Sequence, residues 1–533
     1  MLEGLMQNDF QLNVGAIRRR LRSCYADQQV VTMTADGYDR ASYGEVADRV
    51  DRLGRVLERL DVQPGDRVAT FAWNTQRHFE LYLAVPSYGA VLHTLNIRLF
   101  PEQIAYIVGH ARDEVVFVDG SLVEPLAKLA GQFEGVRHYV VMGDGDLDAL
   151  PNSVSYEELL ADAGDGAYDW PDVPERAAAA LCYTSGTTGN PKGVLYSHRS
   201  VSMHSTAQCL ADGVGLSSAD TVLAIVPMFH VNAWGLPFGA ALTGAGLHMP
   251  GPYLQGEPLA RFVAQERPTL IAGVPTVLAA LLEHVDANGG DLSSLRGGVG
   301  GGAAVPRKLM EGFERHGVRV LQAWGMTETS PVCTVARPPA GADEGEEHWG
   351  YRTTVGRPVP WVELKLSDDN SEIMVRGPWI AARYYEDPSG DDKFEDGWLR
   401  TGDIGEMDEK GFVRITDRSK DLIKSGGEWI SSVEVETLLM GHPDVREAAV
   451  IGMPDERWSE RPLACVALAD GAGATPAELR EHLAAGLAKW QLPDAFVFID
   501  EVPKTSVGKF DKKVLRRQLA DGELVIERPD KVS

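Results

Sequence analysis

Between residue 42 and about residue 330 the chain alternates short apolar runs with amphipathic stretches, and this alternation restricts the fold more than any other feature. Ser42 to Leu60 reads as a helix: Ser42 and Glu45 form a capping box, and Val46, Val50, Leu53, Leu57 and Leu60 share one face. Strand-like runs at 67–71, 91–95 and 114–118 then alternate with helical stretches at 78–87 and 102–109. Such a βαβα rhythm builds a parallel or mixed sheet covered by helices, so the front three-fifths of the chain reads as α/β. From about 350 to 416 the texture changes to short strands (362–366, 372–376, 411–415) between Gly, Pro and Asp turns, a small β subdomain. A compact α+β unit follows Asp417-Arg418-Ser419-Lys420-Asp421, with helices opening at Ser431 and at Thr475-Pro476. The expected domains are therefore 1–416, a boundary at 417–421, and 422–533.

With 533 residues, 44% apolar and 24% charged, the chain has ample core for several folding units. Its net charge of −26 would repel nucleic acid and anionic membrane surfaces, which argues against both as partners. Five cysteines at 24, 182, 209, 333 and 465 are dispersed and form no CxxC pair, so free thiols in a reducing compartment are expected. The first residues lack the apolar core of a signal peptide, and no apolar run reaches the roughly 18 residues of a membrane span. A cytoplasmic protein without stable membrane anchoring is expected.

Thr184-Ser185-Gly186-Thr187-Thr188-Gly189-Asn190-Pro191-Lys192-Gly193 separates two apolar runs, 177–183 and 194–196, as a loop between strands. Glycines let backbone N–H groups approach an anion, and the hydroxyls and ammonium add donors, so the loop suits a polyphosphate. It is not a P-loop, because Gly189 is followed by Asn190-Pro191 rather than by Lys-Ser or Lys-Thr opening a helix.

Further segments carry polar residues that core and turn chemistry do not require. His230 and Trp234 lie in Pro227-Met228-Phe229-His230-Val231-Asn232-Ala233-Trp234, at the exit of an apolar strand. Residues 297–302 contain five glycines, which leave room for a flat ligand against the backbone. Trp324-Gly325-Met326-Thr327-Glu328 offers an aromatic face, a hydroxyl and a carboxylate at a strand's C-terminal end, where α/β sheets bind ligands. Trp398-Leu399-Arg400-Thr401-Gly402-Asp403 presents a carboxylate suited to ribose hydroxyls, and Pro503-Lys504-Thr505-Ser506-Val507-Gly508-Lys509 sets a lysine on a Gly-hinged loop.

In this order, and over essentially the whole chain, these segments resemble the adenylate-forming superfamily of acyl-CoA synthetases, luciferases and peptide-synthetase adenylation domains. FHVNAWGLP and SGGEWISSVEVE look most like medium- to long-chain fatty acyl-CoA synthetases. The resemblance implies an N-terminal domain of two helix-covered sheets and a small β subdomain, with a mobile C-terminal lid. It implies a two-step reaction: a carboxylate attacks the α-phosphate of ATP to give acyl-AMP and pyrophosphate, and CoA then displaces AMP.

The same resemblance assigns roles. Thr184, Ser185, Gly186, Thr187, Thr188, Gly189 and Lys192 would hold the phosphates, and Thr184 and Glu328 would sit near Mg²⁺. Trp324, in a place where tyrosine is usual, would stack on adenine beside Gly302, Ala303 and Gly325. Thr327 would reach the α-phosphate, and Asp403 and Arg418 the ribose. Lys509 would bridge carboxylate and α-phosphate oxygens, where charge accumulates in the transition state. His230, Val231, Trp234 and Gly301 would line the acyl pocket, with His230 positioning the acid and Trp234 either a gate or a plain wall. Lys420 would be a hinge or an ordinary solvated charge, turning Lys424, Gly426, Gly427 and Trp429 toward CoA. A homodimer is implied as well.

Two positions depart from the family pattern: Ser371 stands for the glycine before Glu372, and Arg383 for the glycine before Tyr384-Tyr385; neither touches the expected chemistry. Rival readings are an aryl-acid or short thioether-acid CoA ligase, an acyl-AMP ligase that loads a carrier protein, and a catalytically silent nucleotide-binding protein. Retention of both Lys509 and Glu328 speaks against the last.

Overall fold

The computed structural model describes the chain except for residues 3, 8, 185–189, 343–344, 419–420, 426–427, 456, 506–509 and 530–533. The packing divides it into two units, one of residues 1–363 and 375–399 and one of residues 364–374 and 400–533. That division cuts through the small β region, at 364–374 and at 400, and does not fall at 417–421.

The first unit contains two large sheets. Six strands of the nine-stranded sheet run parallel, in the order Val320–Gly325, Gly297–Gly300, Leu270–Gly273, Thr221–Ala224, Gly246–Met249, Gln29–Met33. Antiparallel strands finish it, Val332–Val335 and Arg357–Pro358 at one edge and Tyr38–Ser42 at the other. The seven-stranded sheet runs Ser153–Ser155, His138–Met142, Asp113–Asp119, Arg67–Phe71, Val91–Thr94, Ala178–Tyr183, Gly193–Ser197, parallel up to its last pair. Parallel strands need crossovers, and the helices that make them cover the sheets with apolar faces. The helix Tyr43–Arg59 shows the local logic: the Ser42–Glu45 capping box satisfies its first amides, and Val46, Val50, Leu53 and Leu57 are buried.

In the second unit, the strands Glu428–Ile430, Ile423–Ser425, Ser459–Leu468, Val445–Asp455 and Ala495–Phe498 form one sheet. Successive side chains of Val445–Asp455 point to opposite faces. Ala448 and Val450 pack with Val435, Leu439, Leu479 and Leu483 of the helices Ser432–Met440 and Pro476–Ala484. Ala449 and Ile451 pack with Leu515 of the helix Lys512–Ala520. Both helices foreseen at Ser431 and Thr475 are capped by those residues. All five cysteines are free thiols, and burial pushes Cys182 up to about 11 and Cys333 and Cys465 up to about 12, so they stay protonated near neutrality.

Candidate active site

The candidate residues of the first unit gather at strand ends. Residues 225–234 and 301–303 follow the C-terminal ends of the parallel strands Thr221–Ala224 and Gly297–Gly300 in the nine-stranded sheet, and residues 324–328 span the C-terminal end of a third, Val320–Gly325. Thr184 follows the strand Ala178–Tyr183 of the other sheet. Ser185, Gly186, Thr187, Thr188 and Gly189 lie outside the described residues, but their flanks are closed. The Thr184 amide donates to the Lys192 carbonyl at 2.9 Å, and the Lys192 amide donates to Thr184 Oγ1 at 3.0 Å.

Lys192 and Glu328 meet on one aromatic ring. Lys192 Nζ lies 4.8 Å from the centre of the Tyr384 ring, donates to Ser389 Oγ at 3.1 Å and stands 3.6 Å from Asp387. The Tyr384 hydroxyl donates to Glu328 Oε1 at 2.5 Å. Glu328 is buried, its carbonyl accepting from the Ala381 amide at 2.8 Å. Burial and the neighbouring Glu328 carboxylate hold the Tyr384 phenol well above its ordinary range, so it remains a donor. Sequence reasoning missed Tyr384: it weighed Arg383 against the family pattern and passed over the tyrosine beside it. The available signal was a doubled tyrosine next to the Asp-Pro-Ser-Gly turn of 387–390.

Thr327 is buried, and its carbonyl accepts from the Tyr196 hydroxyl at 2.6 Å. Trp324 is 9% exposed. Gly325 has to be glycine, because a Cβ there would stand 1.8 Å from the Pro331 carbonyl oxygen. Gly302, with φ 82°, and Ala303 are exposed, whereas Gly301 is buried.

His230 is half-buried at the start of an unusual turn. Val231, Asn232, Ala233 and Trp234 all have positive φ, between 45° and 55°, before Gly235 at 71°. Each left-handed non-glycine residue costs on the order of 1–2 kcal/mol, so tertiary contacts must hold the turn. Cys182 Sγ donates to Asn232 Oδ1 at 3.0 Å, tying it to the strand that leads into Thr184. Upstream, the Asn74 side chain donates from Nδ2 to the Ala224 and Val226 carbonyls, and its Oδ1 accepts from the Met228 amide. The Trp234 indole lies over Gly301, where a Cβ would approach it to 3.1 Å.

The second unit carries the other candidates. Asp403 and Arg418 face each other across an antiparallel strand pair and form an ion pair at 3.0 Å, with the carboxylate buried. Lys424 and Trp429 are cross-strand partners, the ammonium 5.7 Å from the ring, and Trp429 is exposed. Lys420, Gly426, Gly427 and Lys509 lie outside the described residues.

Comparison with known proteins agrees with this picture. The model of the family described as "AMP-binding enzyme" matches residues 20–385, and that described as "AMP-binding enzyme C-terminal domain" matches residues 434–509. The chain belongs to the AMP-binding enzyme family. It is 46% identical to a long-chain-fatty-acid–CoA ligase of Thermus thermophilus, over 96% of each chain. It is 44% identical to a 3-methylmercaptopropionyl-CoA ligase of Ruegeria lacuscaerulensis, over 93% of this chain and 95% of that one. A crystal structure of an anthranilate CoA ligase with anthranoyl-AMP superposes with a TM-score of 0.87 at 26% identity, covering 97% of this chain and all of that one. Within the family the chain thus groups with AMP-forming acyl-CoA ligases.

Proposed function

We propose that the protein is an ATP-dependent acyl-CoA ligase whose acid is a medium- or long-chain fatty acid. The acid carboxylate attacks the α-phosphorus, pyrophosphate leaves, and the CoA thiol then takes the acyl group and releases AMP. The observation that supports this reading is the junction at Tyr384, which joins the Lys192 ammonium, just before the strand Gly193–Ser197, to the buried Glu328 carboxylate, just after the strand Val320–Gly325. One carboxylate and the Thr184 hydroxyl are hard oxygen donors, a set that fits Mg²⁺ completed by phosphate oxygens and water. Bound there, the ion would neutralise charge on the departing pyrophosphate.

In this reading the loop 184–192 grips the β- and γ-phosphates, and Trp324 stacks on adenine over the exposed backbone of Gly302 and Ala303. Thr327 donates to the α-phosphate, and the Asp403–Arg418 pair takes the ribose. Lys509 arrives for adenylation and withdraws about a hinge at Lys420, so that Lys424, Gly426, Gly427 and Trp429 serve CoA. His230, Val231, Trp234 and Gly301 hold the acid, its carboxylate needing no general base. The protein works in the cytoplasm as a homodimer.

A second reading, a short thioether acid as substrate, is favoured by the 44% identity to the methylmercaptopropionyl-CoA ligase and by the indole closing over Gly301. ATP–pyrophosphate exchange across C3–C16 acids and 3-methylmercaptopropionate separates the two. A maximum among C8–C16 acids supports the first reading, a maximum at the thioether acid the second, and no exchange with any acid refutes both. CoA against a phosphopantetheinyl carrier in the second step then fixes the acceptor.

A further inference from the structure

Residues 506–509 lie outside the described residues, but both of their flanks are described. Lys504 and Phe510 pair as an antiparallel bridge, and the Asp511 amide donates to the Pro503 carbonyl at 2.7 Å, so the two flanks form a closed neck. Two ammonium–carboxylate pairs lie under that neck. Lys504 Nζ meets Glu447 Oε1 at 2.7 Å, and Glu447 also accepts from the Val502 amide. Lys512 Nζ meets Glu436 Oε1 at 2.6 Å, with 10% and 8% of the two side chains exposed.

The second pair is the unusual one. Lys512 begins the helix Lys512–Ala520, three residues beyond Lys509, a place where a lysine normally extends into water. Here its ammonium turns inward, donating also to Ser432 Oγ at 2.7 Å. Ser432 Oγ in turn donates to Asp417 Oδ1 at 2.9 Å, and the Ser432 amide donates to Asp417 Oδ2. One turn further along the helix, Arg516 reaches Asp421 at 2.6 Å. Lys512 and Arg516 therefore engage, through Ser432 and directly, the two aspartates that flank residues 419–420. A buried ion pair adds little stability over a well-packed apolar pair, but it fixes one arrangement of the groups it joins.

We propose that Lys512 is a positioning residue for adenylation: held by Glu436 and Ser432, it fixes the neck on either side of 506–509 and ties that neck to the strand Val413–Arg418. It touches no reacting atom; it acts through the geometry of Lys509. The proposal rests on the reading of Lys509 as the adenylation lysine.

The test uses full-length protein and its variants K512M, K512R, the neutral double variant K512M/E436Q, and K509A. Two rates are measured: ATP–pyrophosphate exchange with decanoic acid and with 3-methylmercaptopropionic acid, and thioester formation from CoA and the corresponding synthetic acyl-AMP. Thermal midpoints are recorded alongside. K512M and the double variant should lose exchange by about tenfold to about a hundredfold and keep thioester formation; the double variant, which leaves no buried charge unpaired, should melt close to the parent, while K512R recovers most of the exchange. Parental exchange in K512M beside a dead K509A would overturn the inference alone. So would both half-reactions falling together with the thermal midpoint in K512M and in the double variant. Full exchange in K509A, or none in the parent, would overturn the underlying reading and the inference with it.

Discussion

A hydroxyl holds the Glu328 carboxylate. Tyr384 supplies it, and the same ring faces the Lys192 ammonium. Hydrogen bonds to charged groups contribute about 1.5–3 kcal/mol, so Tyr384→Phe should slow pyrophosphate exchange by about tenfold to about a hundredfold while the ring still packs against Phe394. Exchange at the parental rate would show that Glu328 is held without it. Ser371 offers an opposite experiment. It stands where the family pattern has glycine, and its φ of 59° is left-handed. Ser371→Gly should therefore stabilise the fold by about 1 kcal/mol, read as a higher midpoint in urea unfolding, with no change in exchange. The Ser371 departure was visible in the sequence, but its strain was not, because serine does not announce a positive φ; that appears only in the folded turn, where the Ser371 amide donates to the Ser367 carbonyl and the Ser367 amide to the Glu372 carbonyl.

Elements place these residues by rules that differ in how far they can be read in advance. The helix Tyr43–Arg59 and the helix Pro476–Ala484 were legible because their caps and apolar faces are local. The turn 231–235 was not: Val, Ala and Trp have no preference for left-handed backbone, and only Cys182, Gly301 and their neighbours make that conformation affordable. In the second unit the helix Ser432–Met440 carries a buried carboxyl, Glu436, which burial pushes up to about 7 despite the Lys512 ammonium beside it. The native state then holds that proton more firmly than the unfolded chain, so Glu436 makes stability fall as pH rises from about 4.5 to about 7. Asp417, also raised by burial, acts in the same direction. Glu436→Gln should flatten that fall in a series of thermal midpoints; an unchanged slope would show that the group does not titrate there.

At the scale of the whole molecule, the proposed chemistry asks one lysine near the end of the chain to serve one half-reaction and leave for the other. Lys509→Ala is expected to abolish pyrophosphate exchange, with thioester formation from supplied acyl-AMP preserved. Equal loss in both steps would remove the need for any rearrangement about 417–421. The packing units divide at 364–374 and 400, so a hinge at 417–421 would lie inside one unit, with the Asp417–Ser432 bonds crossing it and the Arg516–Asp421 pair anchoring its C-terminal end. Any such motion must break or carry those contacts.

Periodicity, caps and glycine spacing determined by themselves that this chain would form helix-covered sheets, where the phosphate-suited loop would lie, and which residues would end up at strand termini. Those are consequences of neighbouring residues acting on one another through the backbone. The tertiary structure alone decided that Tyr384 would join Lys192 to Glu328, that Trp234 would lie over Gly301, and that Lys512 would turn inward to Glu436. Each of these joins residues far apart in the sequence, and their energies depend on burial and mutual orientation, which exist only once the chain has folded.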